Sequence, residues 1–177
     1  PVDAAKAAVI NRPASISALL ALAGADMAGV DGLIRQRMSS SVPVIPALAE
    51  HLIGSSGKRL RPLMTIAAAR LAGAKDEACL KLAAAVEFIH TATLLHDDVV
   101  DSSELRRGRV AAHLIWAAPS SVLVGAFLFA RAFELMVGAG SMAALEVLAR
   151  ASRVIAEGEV LQLTRAHDRS EERSVGK

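Results

Sequence analysis

Three carboxylates stand close together in Leu94-Leu95-His96-Asp97-Asp98-Val99-Val100-Asp101. On a helix, Asp97 and Asp101 lie four positions apart and Asp98 and Asp101 three apart, so their side chains converge toward one edge. Like charges at that spacing repel and destabilise an isolated helix. Oxygen-only donors so placed suit a hard divalent cation such as Mg²⁺, which keeps several waters and bridges one or two carboxylates to phosphate oxygens. The plainer alternative is a solvated acidic helix end. The apolar residues just before Asp97 argue against full solvation.

Cations gather at two places. Gly57-Lys58-Arg59-Leu60-Arg61-Pro62 sets Lys58 and Arg61 three apart at an expected helix start, where unpaired backbone N–H groups already favour an anion. Arg106 and Arg107 follow the third aspartate closely enough to fold back over the acidic site. Guanidinium and ammonium groups in such clusters fit a small polyanion, and a diphosphate matches best. The alternatives are a solvated basic turn at 58–61, and pairing of Arg106 and Arg107 with Asp101 or Glu104. His90, Leu94, Asp97 and Asp101 share one helical stripe at offsets of four, seven and eleven, which points His90 into the space beneath the acids. Its alternative is a core histidine satisfied by its neighbours. No Ser/His/Asp or Cys/His arrangement offers a side-chain nucleophile.

The elements that must position these residues are expected to be helices. The composition is 53% hydrophobic and 3% aromatic, rich in alanine and leucine, which favours an all-α fold. A single domain over 1–177 is the default at this length. The patterning predicts helices over 2–10 and 15–28, with Gly24 a weak point and Asp31-Gly32 marking the exit. Pro43 and Pro46 break the next run, and the loop at 54–57 leads to a helix with Pro62 in its first turn and Gly73 at its end. A long helix capped by Asp76 is expected to reach about Val100, followed by a polar loop over 102–108 and a short helical piece over 113–118. A helix over 119–137 then ends at Gly138 and Gly140, and one capped by Ser141 reaches about His167. The charged stretch 169–177 reads as a frayed tail.

Charge is nearly balanced, with 20 Lys and Arg against 18 Asp and Glu, and no long basic run tracks a nucleic-acid backbone. No nucleic-acid partner is expected. A lone Cys79 excludes an internal disulfide and is compatible with a reducing cytosol. The first eight residues lack a signal-peptide pattern, and Glu87, His90, Pro119 and Arg131 interrupt the longest apolar stretches, so no transmembrane segment is expected. The expected location is the cytoplasm, with loose membrane association.

Taken together, these motifs resemble trans-polyprenyl diphosphate synthases in order, spacing and flanks over about residues 40 to 168. Glu87-Phe88-Ile89-His90-Thr91, Arg106-Arg107-Gly108, Ala112-His113 with Trp116, Val122-Leu123-Val124-Gly125, the run from Phe127 to Phe133 and Ile155-Ala156-Glu157-Gly158-Glu159-Val160-Leu161-Gln162 extend the likeness. The resemblance implies an isoprenoid synthase helical bundle, of which this chain would be the truncated N-terminal half. It implies a Mg²⁺-dependent prenyltransferase that condenses an allylic diphosphate, geranyl or farnesyl diphosphate, with isopentenyl diphosphate. The product would be a long all-trans chain of the octaprenyl to decaprenyl class, a quinone side-chain precursor. Asp97, Asp98 and Asp101 would bind the metal and Arg106 the allylic diphosphate. Lys58, Arg61, His90 and Arg107 would bind isopentenyl diphosphate, and Gln162 would face the allylic site. Thr93 and Ala92, four and five residues before Asp97 and roughly 6 to 7.5 Å deeper along a helix, would set chain length. Both are small where short-chain relatives carry a bulky aromatic floor; small residues are also ordinary helix filler. A homodimer is implied, with 127–135 supplying part of its surface.

This sequence departs from the family pattern in three respects. The second aspartate-rich motif is absent from these residues, Gly125-Ala126 stands where Gly-Asp is usual, and Ala117 follows Trp116 where glycine is usual. A non-catalytic partner subunit and a terpene cyclase are the alternatives. Paired cation sites argue against a cyclase, which has no isopentenyl diphosphate to hold.

Overall fold

The computed structural model describes residues 16–54, 59–74, 76–106 and 108–165. The expected helix over 2–10, Lys58, Arg107 and the tail at 169–177 lie outside them. In chain order the elements are α1 (Ile16–Arg37), α2 (Val44–Gly54), α3 (Leu60–Leu71), α4 (Ala78–Val100), β1 (Leu105–Arg106), β2 (Arg109–Val110), α5 (Ala112–Trp116), α6 (Ala118–Gly138) and α7 (Met142–Arg165). Among the described residues the fold is all-α apart from one hairpin of two-residue strands.

The centre is the pair α4 and α6. Ala85, Phe88, Ala92 and Leu95 recur on α4 every three or four residues, as do Val124, Leu128, Ala132 and Leu135 on α6, and all eight are buried. The alanines let the two backbones approach closely. The pair is antiparallel: Lys81 Nζ, at the start of α4, donates to the Gly138 carbonyl at 2.8 Å, while His96 Nε2, near its end, meets the Val122 carbonyl at 3.2 Å. A Cβ at Gly125 would run into the His96 ring, 2.7 Å from Cδ2, so only glycine lets the helices close at this level. By length and composition α4 and α6 are apolar enough to cross a membrane despite the interruptions noted above. In the fold that apolarity is spent on packing the two against each other.

Helix α1 packs on α3 and α4, and does not leave the helix at Asp31-Gly32 as the local signal suggested. Val30 and Ile34 are core residues, and their burial carries the helix through a Gly that has open space around it. Prolines 46 and 62 each sit in a first helical turn, where no backbone N–H is lost. Asp76 does not cap α4; Glu77 holds that position without a side-chain cap, and the Asp76 carbonyl accepts from Cys79 Sγ. Ser141 does cap α7, its Oγ accepting from Ala144 N–H at 3.2 Å. Helix α7 itself has no buried residue, with Val147, Val154, Val160 and Leu161 exposed.

The expected polar loop at 102–108 contains the hairpin, in which Leu105 pairs with Val110 and Arg106 with Arg109. It docks on α2, where His51 Nε2 meets the Val110 carbonyl at 3.0 Å and Arg109 donates to the His51 carbonyl at 3.2 Å. This fold-back returns Arg106 to the end of α4.

Candidate active site

Helices α4 and α7 run parallel with a furrow between them. Its lower hollow, about 290 Å³, is lined by Arg61 from α3, by Val86, Ile89, His90 and Thr93 from α4, and by Leu148, Ala151, Ser152 and Ile155 from α7. The upper hollow, about 240 Å³, is lined by Thr93, His96, Asp97 and Val100 from α4, by Phe129 from α6 and by a run of α7 that includes Ala156, Glu159, Val160 and Leu163. Thr93, Ser152 and Ile155 border both, so the two hollows adjoin along the furrow. A cationic lower end and an acidic upper end are thus joined by mainly apolar walls.

At the upper end the three aspartates separate. Asp97 faces the furrow, opposite Glu159 on α7. Its carboxyl is pushed above the usual range by burial first, then by the charges of Glu159 and Asp101, against the pull of Arg106. Asp98 is 2% exposed and turned to the hairpin, where Arg106 Nε donates to its two oxygens at 2.7 and 2.8 Å and Arg106 Nη2 lies 2.6 Å from Oδ1. Asp101 is exposed at the C-terminal cap of α4. The expected convergence of all three acids is therefore not met. Neighbouring residues on a helix point about 100° apart, and Arg106 holds Asp98 on the far side. Among the described residues no three His, Cys, Asp or Glu side chains are gathered closely enough to hold a metal ion. The donors that do face the furrow, Asp97 and Glu159, are hard oxygens under mutual repulsion, which is chemistry that fits a hard divalent cation completed by water and phosphate oxygens.

His96 forms part of the upper wall. Its ring stacks on Phe129 with centroids 6.5 Å apart and planes 14° from parallel, in the notch left by Gly125. The run Glu157-Gly158-Glu159 does not itself mark Glu159; only the parallel course of α7 shows which glutamate faces Asp97.

At the lower end the structure brings Arg61 and His90 together on one hollow, as the family resemblance implied. Of the two residues expected to govern chain length, Thr93 borders both hollows, while Ala92 is fully buried in the core and lines neither. Gln162 is exposed on α7 and lies outside both linings, between Leu161 and the lining residue Leu163. On the expected dimer surface, Leu128, Ala132 and Leu135 belong to the core, and Phe127 is covered by Arg131, whose guanidinium carbon is 5.0 Å from the ring centroid. The outward apolar residues of α6 are Val122, Leu123, Phe133 and Val137.

Comparison with known proteins agrees with this geometry. Residues 42–175 match the polyprenyl synthetase profile, and the chain belongs to that family. It is 48% identical over 147 residues to octaprenyl diphosphate synthase of Escherichia coli (strain K12), covering 83% of this chain and 46% of that one. It is 45% identical over 150 residues to the all-trans-nonaprenyl-diphosphate synthase (geranyl-diphosphate specific) of Rhodobacter capsulatus, covering 84% and 46%. Among solved structures, a polyprenyl synthase from Caulobacter crescentus CB15 complexed with calcium and isoprenyl diphosphate superposes with a TM-score of 0.84 at 73% identity, covering 89% of this chain and 48% of that one. The chain thus spans about half the length of the relatives it matches.

Proposed function

We propose that this chain supplies the substrate-binding half of a long-chain trans-polyprenyl diphosphate synthase that joins an allylic diphosphate to isopentenyl diphosphate. One observation carries the proposal: a single furrow has Arg61 and His90 at one end, Asp97 and Glu159 at the other, and apolar walls between. The structure of the Caulobacter relative, complexed with calcium and isoprenyl diphosphate, supports a divalent cation and a prenyl diphosphate as ligands here as well.

Asp97, aided by Glu159 and Asp101, would hold Mg²⁺ at the furrow mouth. When bound, the ion supplies electrostatic stabilisation of the departing diphosphate. Arg61 and His90, with Lys58 and Arg107, orient isopentenyl diphosphate so that its double bond meets the allylic carbon. The apolar walls keep water from the allylic cation. Asp98 and Arg106 neutralise each other, so a role for Asp98 on ligand requires that pair to open. A diphosphate competes for the guanidinium with the same charge-assisted hydrogen bonds.

The small Thr93 and the aliphatic lining at Ile155, Val160 and Leu163 support a long product of the octaprenyl to decaprenyl class. The exposed apolar residues of α6 support a homodimer. A cytoplasmic enzyme loosely associated with membranes suits a product of that hydrocarbon length. The test is elongation by the full-length protein: farnesyl diphosphate and labelled isopentenyl diphosphate should yield long labelled chains with Mg²⁺ and none with chelator. Undiminished elongation in chelator would overturn the metal role.

A further inference from the structure

Arg59 stands two positions before Arg61 with φ 48° and ψ 37°, in the left-handed region that side chains seldom adopt. A residue held there needs compensation from its surroundings, and Arg59 has it. Its side chain is 14% exposed and passes between α1 and α4, where Nη1 donates to Glu87 Oε1 at 2.9 Å and Nη2 lies 3.5 Å from Asp31 Oδ1. The Glu87 side chain is 12% exposed. The Arg59 carbonyl meanwhile accepts from Leu63 N–H at 3.1 Å, and Leu63 is fully buried. One residue therefore starts α3 and pins that start to α4, one turn before His90.

The guanidinium has no spare charge for a ligand, because two carboxylates already face it. Its effect falls instead on its neighbours. Arg61, the second residue of α3, lines the lower hollow beside His90, and the two helices that carry them meet at the Arg59–Glu87 pair.

We propose that Arg59 and Glu87 are positioning residues that set Arg61 against His90 and thereby govern binding of isopentenyl diphosphate. The proposal rests on the reading that Arg61 and His90 hold this second diphosphate. It assigns no contact between substrate and either member of the pair. Loss of the pair should loosen the lower end of the furrow and leave the Asp97 end intact.

The experiment is steady-state kinetics of the full-length protein, with each substrate varied in turn, on wild type, Arg59→Gly, Arg59→Lys, Glu87→Gln and Arg61→Ala. Arg59→Gly keeps the left-handed backbone while removing the whole side chain, so the ion pairs are lost with the turn retained. The expected result for Arg59→Gly and Glu87→Gln is a rise of about tenfold in KM for isopentenyl diphosphate, with KM for the allylic diphosphate changed less than about twofold. Arg59→Lys, which keeps a charge for Glu87, should recover part of the loss. If Arg61→Ala leaves KM for isopentenyl diphosphate unchanged, the underlying reading of the site fails. If Arg61→Ala raises it while Arg59→Gly and Glu87→Gln do not, the site stands and the positioning role is overturned. Should Arg59→Gly not fold, Glu87→Gln decides by the same readout, since it leaves Arg59 paired with Asp31.

Discussion

The two ends of the furrow treat charge in opposite ways. Below, Arg59 lies between Asp31 on α1 and Glu87 on α4, so the ion pairs that hold the start of α3 against both helices are made within the protein. Above, Asp97 faces Glu159 with Asp101 nearby, and its carboxyl is pushed up because burial and like charges disfavour the anion. Arg106, the nearest cation acting on it, is taken by Asp98. The fold neutralises the charges that hold its own helices and leaves in tension the ones a ligand would complete. That contrast separates scaffold from site more sharply than exposure does, because Asp97 and Glu87 are both part-buried.

The largest effect should come from removing the tension itself. Asp97→Asn is expected to lower turnover by about 10² to 10³-fold, the scale of a lost electrostatic anchor in a transition state, while raising the melting temperature of the ligand-free protein at neutral pH. The sign follows from the raised carboxyl. The folded state binds that proton more tightly than the unfolded chain, so ionisation costs stability as pH rises past 3.8, and the full cost applies above the raised value. The melting-temperature gap between variant and wild type should therefore widen with pH and close in acid. A lower melting temperature for Asp97→Asn at neutral pH would place Asp97 among the scaffold charges.

Breaking the completed pair should do the reverse. Asp98→Ala leaves the part-exposed Arg106 guanidinium without its carboxylate and should cost about 1 to 3 kcal/mol in urea denaturation. The wall between the ends gives a subtler contrast. Thr93→Phe should shorten the product distribution, read by chromatography of the dephosphorylated alcohols, because Thr93 borders both hollows. Ala92→Phe meets core atoms instead and should cost about 1 to 3 kcal/mol of stability. The smallest effect lies outside the furrow. Ala117 adopts φ 68° and ψ 152°, a conformation suited to glycine, so Ala117→Gly should stabilise by about 1 kcal/mol.

Much of this was legible in the sequence where the signal is local and repeated. The long apolar periods placed α4, α6 and α7 to within a few residues, Ser141 capped its helix, and the offset from His90 to Asp97 put both on one furrow wall. The departure at Ala117 was visible too, as an alanine where the family carries glycine, although its backbone strain needed coordinates. What failed needed partners distant in sequence. Asp31-Gly32 looked like a helix exit because nothing nearby shows Val30 and Ile34 packed in the core. The pairing of Asp98 with Arg106 was out of view because the spacing of the aspartates says nothing of the hairpin that brings Arg106 back. Arg59 read as one more charge in a basic turn, since Asp31 and Glu87 reach it from helices on either side in sequence.

On the proposed reading, one furrow holds two diphosphates at chemically opposite ends. It is tested most directly by calorimetric titration of the full-length protein with isopentenyl diphosphate and, separately, with Mg²⁺ and a non-ionising thio analogue of farnesyl diphosphate. The expected result is a double dissociation: Asp97→Asn loses Mg²⁺-dependent binding of the allylic analogue and keeps isopentenyl diphosphate, while Arg61→Ala does the opposite. Equal loss of both ligands in each variant, or of neither, would contradict it.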